Sequence, residues 1–196
     1  MFFGDKRSAA DYAAAIDRLA RLDPEIVEID IEPFYEAARL LYEGPWVAER
    51  YLVAKALIAS SPESLHPVTR EITAAGARLT AAEAFAALYR LQGLRKIAER
   101  AFANMDALVL PTAPTIYTVA QVLADPIGLN SRLGTYTNFV NLLDLCGLAL
   151  PAALHGARPF GITLLAPAGQ DAALAAIGRR FHAATKLPLG ALRRAQ

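Results

Sequence analysis

The sequence predicts an α/β fold, an α/β/α sandwich around a mixed β-sheet, on three observations. Two continuous apolar runs, Leu148–Leu154 and Phe160–Leu165, have the composition of strands buried on both faces. Long segments of helical periodicity lie before and after them. Hydrophobic residues make up 55% of the chain against 20% charged, which fits a large buried sheet or an apolar face pressed on further protein.

The elements follow in order. Phe2-Phe3 reads as the end of a strand. Ser8, with Asp11 three residues on, is placed to cap a helix running through Leu19. Ile26–Ile31 alternates apolar and acidic residues as a half-buried strand does, and strand, helix and strand together make a right-handed crossover. Helices are then expected over 34–43, 45–59, 67–75 (closed by Gly76) and 81–104. The last opens with a capping box, Thr80-Ala81-Ala82-Glu83, and its buried face is read as Phe85, Leu88, Leu91, Leu94, Ala98 and Phe102. Strand character returns at Ala107–Leu110 and stops at Pro111. Residues 115–134 read as loop with a short helix near 118–124, and Thr135–Leu145 as a helix stopped by Gly147. The two apolar runs form a hairpin of central strands across 155–159, a final helix covers 170–185, and the tail 187–196 is expected to fray.

Composition bounds the function. The 196 residues suit a single domain, 1–196, and a net charge of +1 gives no electrostatic case for nucleic acid or an anionic membrane. No stretch approaches the roughly 20 apolar residues of a membrane span, and the N-terminus lacks the pattern of a signal peptide. The single Cys146, read as a small buried packing residue, excludes an internal disulfide and points to a reducing, cytoplasmic setting.

The segment Tyr42–Arg50, Y-E-G-P-W-V-A-E-R, carries the most chemistry. Tyr42 and Arg50 are eight positions apart across a Gly44-Pro45 break, a spacing that lets both face one cavity. A guanidinium fork fits a carboxylate bidentately, and a phenol adds a third hydrogen bond. The competing reading is a solvated Arg50 paired with Glu49 or a neighbour, with Tyr42 merely packing. Other candidates are weaker. Ser60-Ser61 sits at a helix end, where serines cap backbone groups. Lys6, Lys55, Lys96 and Lys186 have no catalytic context, and Arg179-Arg180 reads as a solvated face. His66, His155 and His182 show no metal-ligand spacing and no acidic partner placed for a triad, while Asp144 is expected to make a structural hydrogen bond.

T-A-P-T-I-Y-T (112–118), N-S-R-L-G-T-Y-T-N-F-V-N-L-L-D-L (130–145), A-L-P (149–151) and P-F-G-I-T-L-L (159–165), taken with Y-E-G-P-W-V-A-E-R, resemble the C-terminal half of the amidase-signature enzymes, in particular the allophanate hydrolases. The resemblance runs from about Phe2 to His182 and implies hydrolysis of a small carboxylated amide, allophanate, to ammonia and carbon dioxide in urea and biuret degradation. It implies a Ser nucleophile, a second Ser in a cis peptide and a neutral Lys, with no metal and no organic cofactor. It matches Tyr42 and Arg50 to the carboxylate grip, and ties Tyr136 and Asn138 to the pocket lining. The family's Gly-Gly-Ser-Ser loop has no counterpart in these residues, so no catalytic residue is assigned. The expected partner is an N-terminal amidase half, and the chain alone is expected to be inactive. The alternative is a small-carboxylate-binding or protein-interaction module that docks on another chain, a second copy included, through the exposed sheet region.

Overall fold

The structure, a computed structural model, describes residues 1–188. The expected fraying of the tail falls mainly outside the described residues. Eight α-helices and three strands follow one another along the described chain: α1 (Lys6–Ala20), α2 (Glu32–Glu43), α3 (Trp46–Ser60), α4 (Pro67–Ala74), α5 (Ala81–Phe102), β1 (Leu108–Pro111), α6 (Val119–Ala124), α7 (Pro126–Leu133), β2 (Leu145–His155), β3 (Arg158–Pro167) and α8 (Asp171–Thr185). Short 3-10 turns at Pro62–Ser64 and Ala75–Arg78 flank α4.

The sheet order is β1-β3-β2, and both pairings are antiparallel. β3 is therefore central and buried on both faces, as its apolar run requires. Phe160, Ile162, Leu164 and Ala166 face a core shared with Ala15 and Leu19 of α1 and Leu174 and Phe181 of α8. Leu165 faces the opposite core, built from Phe34 and Ala37 of α2, Leu91, Leu94, Ala98 and Phe102 of α5, and Phe139, Leu142 and Leu143. Phe34 sits edge-on to Phe102 and Phe139, with ring centres 6.2 and 5.4 Å away. These layers form the expected sandwich.

Several local expectations are corrected. The crossover does not form: residues 2–4 make a turn, with Phe3 at φ 47°, and 24–31 run without strand pairing. No parallel pair occurs among the described residues, because the two segments that would have supplied one find no partner. α1 is capped by Asp5, which accepts from the Ser8 backbone N–H at 3.0 Å, so Ser8 is the third helical residue rather than the cap. β2 is an edge of the described sheet; Pro151 precedes a bulge at Ala152, where a missing N–H interrupts no ladder. Residues 134–144 are a chain of turns in place of a helix. Val140 N–H reaches Thr137 O, Leu143 N–H reaches Phe139 O and Leu145 N–H reaches Val140 O, so no regular spacing is established. Arg95 of α5 also donates to the Leu142 carbonyl at 2.8 Å, which ties this chain of turns to the helix. Phe85 and Leu88 are 58% and 45% exposed, so the buried face of α5 begins only at Leu91. Cys146 is half-buried, and its thiol donates to the Pro167 carbonyl at 3.2 Å.

The capping box of α5 forms as read: Glu83 N–H donates to Thr80 Oγ1 at 3.2 Å and Thr80 N–H to Glu83 Oε2 at 2.8 Å. A second box, Thr118 with Gln121, opens α6, and α7 starts on Asp125-Pro126. Among the described residues no helix is long and apolar enough to cross a membrane.

Candidate functional site

The corner between α2 and α3 sets the geometry of the Tyr42–Arg50 segment. Gly44 N–H closes α2 on the Leu40 carbonyl at 3.1 Å. A Cβ at Gly44 would lie 2.5 Å from that same oxygen, so only glycine permits so tight an exit. Pro45 then heads α3 with its fixed φ. Tyr42 thus ends one helix and Arg50 sits in the first turns of the next, and the Arg50 guanidinium carbon stands 4.7 Å from the centre of the Tyr42 ring.

Both side chains line a cavity of about 500 Å³. Val47 of α3 and Val68 and Ile72 of α4 give apolar lining, with the Thr69 and Thr73 side chains among them, and α7 contributes Ile127, Asn130 and Ser131. Beside this lining, a Cβ on Gly76 would meet the Val47 carbonyl oxygen at 2.5 Å, which shows how closely the 3-10 turn presses on α3. Arg50 is the one charged side chain among those lining the cavity, and it makes no ion pair among the described residues. The pairing with Glu49 is therefore not formed. What the arrangement offers is an unneutralised guanidinium, stacked on a phenol ring and facing a half-apolar cleft.

Tyr136 and Asn138 lie elsewhere. Tyr136 is 4% exposed; its hydroxyl accepts from the Met1 ammonium and donates to the Met1 carbonyl, each at 2.6 Å. Burial, and then the neighbouring Tyr35, push its phenol well above the ordinary range. The Asn138 side chain packs where a Cβ on Gly134 would be. Neither is among the cavity's lining residues. The sequence reading missed α7 and with it Asn130 and Ser131. The signal was Asp125-Pro126, a helix-start pair in which Asp125 accepts from the Gly128 N–H at 2.9 Å.

The remaining candidates resolve into local roles. Ser61 follows α3, and its side chain makes no capping hydrogen bond; its backbone N–H closes the helix on Leu57 O at 2.9 Å. Lys55 and Lys96 are exposed. His155 does have an acidic neighbour, contrary to the sequence reading: its Nε2 is 2.8 Å from Asp11 Oδ1, a pair that joins the end of β2 to α1. His182 is bonded to the Leu187 carbonyl at 2.8 Å, and His66 precedes α4. Asp144 takes φ 54°, and its carbonyl accepts from Ala168 N–H at 3.1 Å. Arg180 donates to the Leu22 carbonyl at 2.6 Å, so that side chain is anchored rather than merely solvated. No cluster of three or more metal-ligating side chains occurs among the described residues.

Comparison with known proteins follows the same residues. The family described as Amidase matches positions 3–175. The chain is 38% identical over 183 residues to urea amidolyase of Saccharomyces cerevisiae, which is 92% of this chain and 10% of that protein. Kluyveromyces lactis allophanate hydrolase matches with a TM-score of 0.91 at 35% identity, covering 98% of this chain and 32% of that one. The urea amidolyase of Kluyveromyces lactis matches with the same TM-score at 36% identity, over 94% of this chain and 11% of that one. The chain therefore spans about a tenth of the urea amidolyases and about a third of the allophanate hydrolase it resembles. The family match over most of the length and the shared fold agree: the chain belongs to the amidase family.

Proposed function

We infer that this chain is the substrate-binding portion of an amidase acting on a small carboxylated amide, with allophanate the favoured substrate. The observation that carries the reading is the uncompensated Arg50 guanidinium stacked on Tyr42 at the cavity wall. A carboxylate would supply the missing countercharge and take two hydrogen bonds from the guanidinium fork. The Tyr42 ring restrains Arg50 from one face, which lowers the entropy cost of holding it for the ligand. Relatives named for allophanate hydrolysis and urea amidolysis support the substrate class. Tyr136 and Asn138 enter the proposal only through the family resemblance.

The bond-breaking groups would come from protein beyond these residues. In this scheme a lysine takes the proton relayed from the nucleophilic serine, the serine attacks the amide carbonyl, and backbone N–H groups hold the oxyanion. The amide C–N bond breaks as the relayed proton passes to the nitrogen and ammonia leaves; water then hydrolyses the acyl-enzyme, and the freed N-carboxylated carbamate loses carbon dioxide. Neither metal nor organic cofactor takes part. The single cysteine suits a cytoplasmic setting.

Ammonia release tests the proposal. The 196-residue chain alone is expected to release none from allophanate. Joined to an amidase portion bearing the Ser-Ser-Lys groups, it is expected to hydrolyse allophanate. Arg50→Ala should then lower activity tens- to thousands-fold, since truncating one partner of a hydrogen-bonded charge pair that the assembled enzyme and bound substrate bury costs about 2–5 kcal/mol. An uncharged amide should suffer far less. Equal losses on both substrates, or Arg50-dependent release by the chain alone, would overturn the reading.

A second reading, a protein-interaction module, draws on one feature. α3 shows no separation into an apolar and a polar face, and Leu52 and Val53 are 63% and 87% exposed, as is Tyr89 of α5 at 73%. Concentration-dependent dimerisation in sedimentation would favour it, and a monomer at all concentrations would remove homodimerisation from it.

A further inference from the structure

The α7 side of the cavity offers chemistry that the Arg50 side lacks. Asn130 donates from Nδ2 to the Pro126 carbonyl at 2.5 Å. A carbonyl oxygen can only accept, so the amide nitrogen is committed there and the orientation of the Asn130 amide follows from the bond itself. Oδ1 is left as the acceptor end. Among the described residues lining the cavity, Asn130 is the one carboxamide, and no carboxylate joins it. The other short polar groups on the lining, Thr69, Thr73 and Ser131, are hydroxyls that rotate to donate or accept. The cavity lining thus brings a donor cluster, Tyr42 of α2 with Arg50 of α3, together with a carboxamide from α7 whose nitrogen is already engaged.

A ligand that satisfies both carries an anionic oxygen pair at one end and N–H donors at the other. A site with a directed polar group discriminates strongly against an isostere that leaves the group unmet. We propose that Asn130 is a specificity-determining residue: its Oδ1 accepts a hydrogen bond from the amide or ureido N–H of the substrate while Arg50 holds the carboxylate. The cavity then selects carboxylated amides and ureas over carboxylates of the same shape. This inference rests on the carboxylate grip proposed above and adds the other end of the ligand.

Binding to the 196-residue chain, measured by titration calorimetry with two probes of matched shape, tests it. Malonamate carries a carboxylate and a primary amide; acetoacetate replaces the NH2 with a methyl group. The wild-type chain should prefer malonamate by about five- to tenfold, the value of one hydrogen bond. Asn130→Ala should erase that preference while leaving acetoacetate affinity within about twofold, so the second probe also reports an intact pocket. Arg50→Ala should weaken both probes alike. Equal affinity of the wild-type chain for the two probes overturns the proposal without recourse to any variant. A preference that survives Asn130→Ala, or an equal loss for both probes, overturns the role of Asn130 and leaves the carboxylate grip standing. Absence of binding, or indifference of both probes to Arg50→Ala, overturns the grip and this inference together.

Discussion

Replacing Asp5 should loosen the joint between α1, the 112–118 loop and the β2–β3 hairpin. The Asp5 side chain is 13% exposed and accepts from the Ser8 N–H at 3.0 Å, Ser8 Oγ at 2.9 Å and Thr115 Oγ1 at 2.8 Å, with Arg158 as its ion-pair partner. Losing the helix cap costs about 1 kcal/mol. Leaving the buried Thr115 hydroxyl without an acceptor costs about 1–3 kcal/mol more. The Arg158 side chain is 35% exposed, so its pairing adds no more than about 1 kcal/mol. Asp5→Ala should therefore destabilise by about 2–5 kcal/mol, a fall in Tm of about 4–20 °C for a chain of this size. Thermal unfolding followed by circular dichroism at neutral pH measures it. A fall of under about 2 °C, or simple additivity of Asp5→Ala with Thr115→Val, would refute the network. The same carboxyl fixes a pH dependence. Burial pushes its pKa up, but the bonds from Ser8, Thr115 and Arg158 outweigh burial and hold it well below the ordinary carboxylate range. The unfolded chain thus binds the proton more readily than the folded one. The stabilisation is complete above the unfolded value of about 4 and is lost as pH falls below it toward the folded value. Asp5→Asn, which does not titrate, should flatten that part of the acid-unfolding curve.

Other perturbations bear on the cavity. Gly76→Ala drives a Cβ toward the Val47 carbonyl oxygen, a backbone atom that cannot rotate aside, and should destabilise by about 1–3 kcal/mol while shifting α3 and the Arg50 wall with it. Parallel measurement of Tm and malonamate affinity checks this, and an unchanged pair of values would show that the 3-10 turn moves freely. Tyr42→Phe keeps the ring under Arg50 and removes only the hydroxyl, whereas Tyr42→Leu removes both. An exposed cation–π stack is worth about 0.5–1 kcal/mol, so Leu should bind malonamate about two- to fivefold more weakly than Phe. Identical affinities for the two variants would mean that the stack contributes nothing.

What the sequence by itself determined were features closed within a few residues. The Thr80–Glu83 box, the Gly44-Pro45 corner and the span of α8 depend on neighbours along the chain, and their bonds formed where the pattern placed them. Period-2 and period-3.6 signals report burial, however, and not which hydrogen bonds a segment makes. Ile26–Ile31 alternates as a strand does but pairs with no strand among the described residues. Residues 135–144 bury Phe139, Leu142 and Leu143 as a helix would, yet Arg95 claims the Leu142 carbonyl and turns replace the helix. The same division runs through the site. Tyr42 and Arg50 were legible because one corner sets their spacing. Asn130 and the lining from Val68 to Ala75 come from segments about 18 to 80 residues further along the chain than Arg50 and enter one cavity only when the sheet and the helical layers have packed. Chain-local chemistry set the Tyr42–Arg50 corner; long-range packing chose which other residues line the cavity with it.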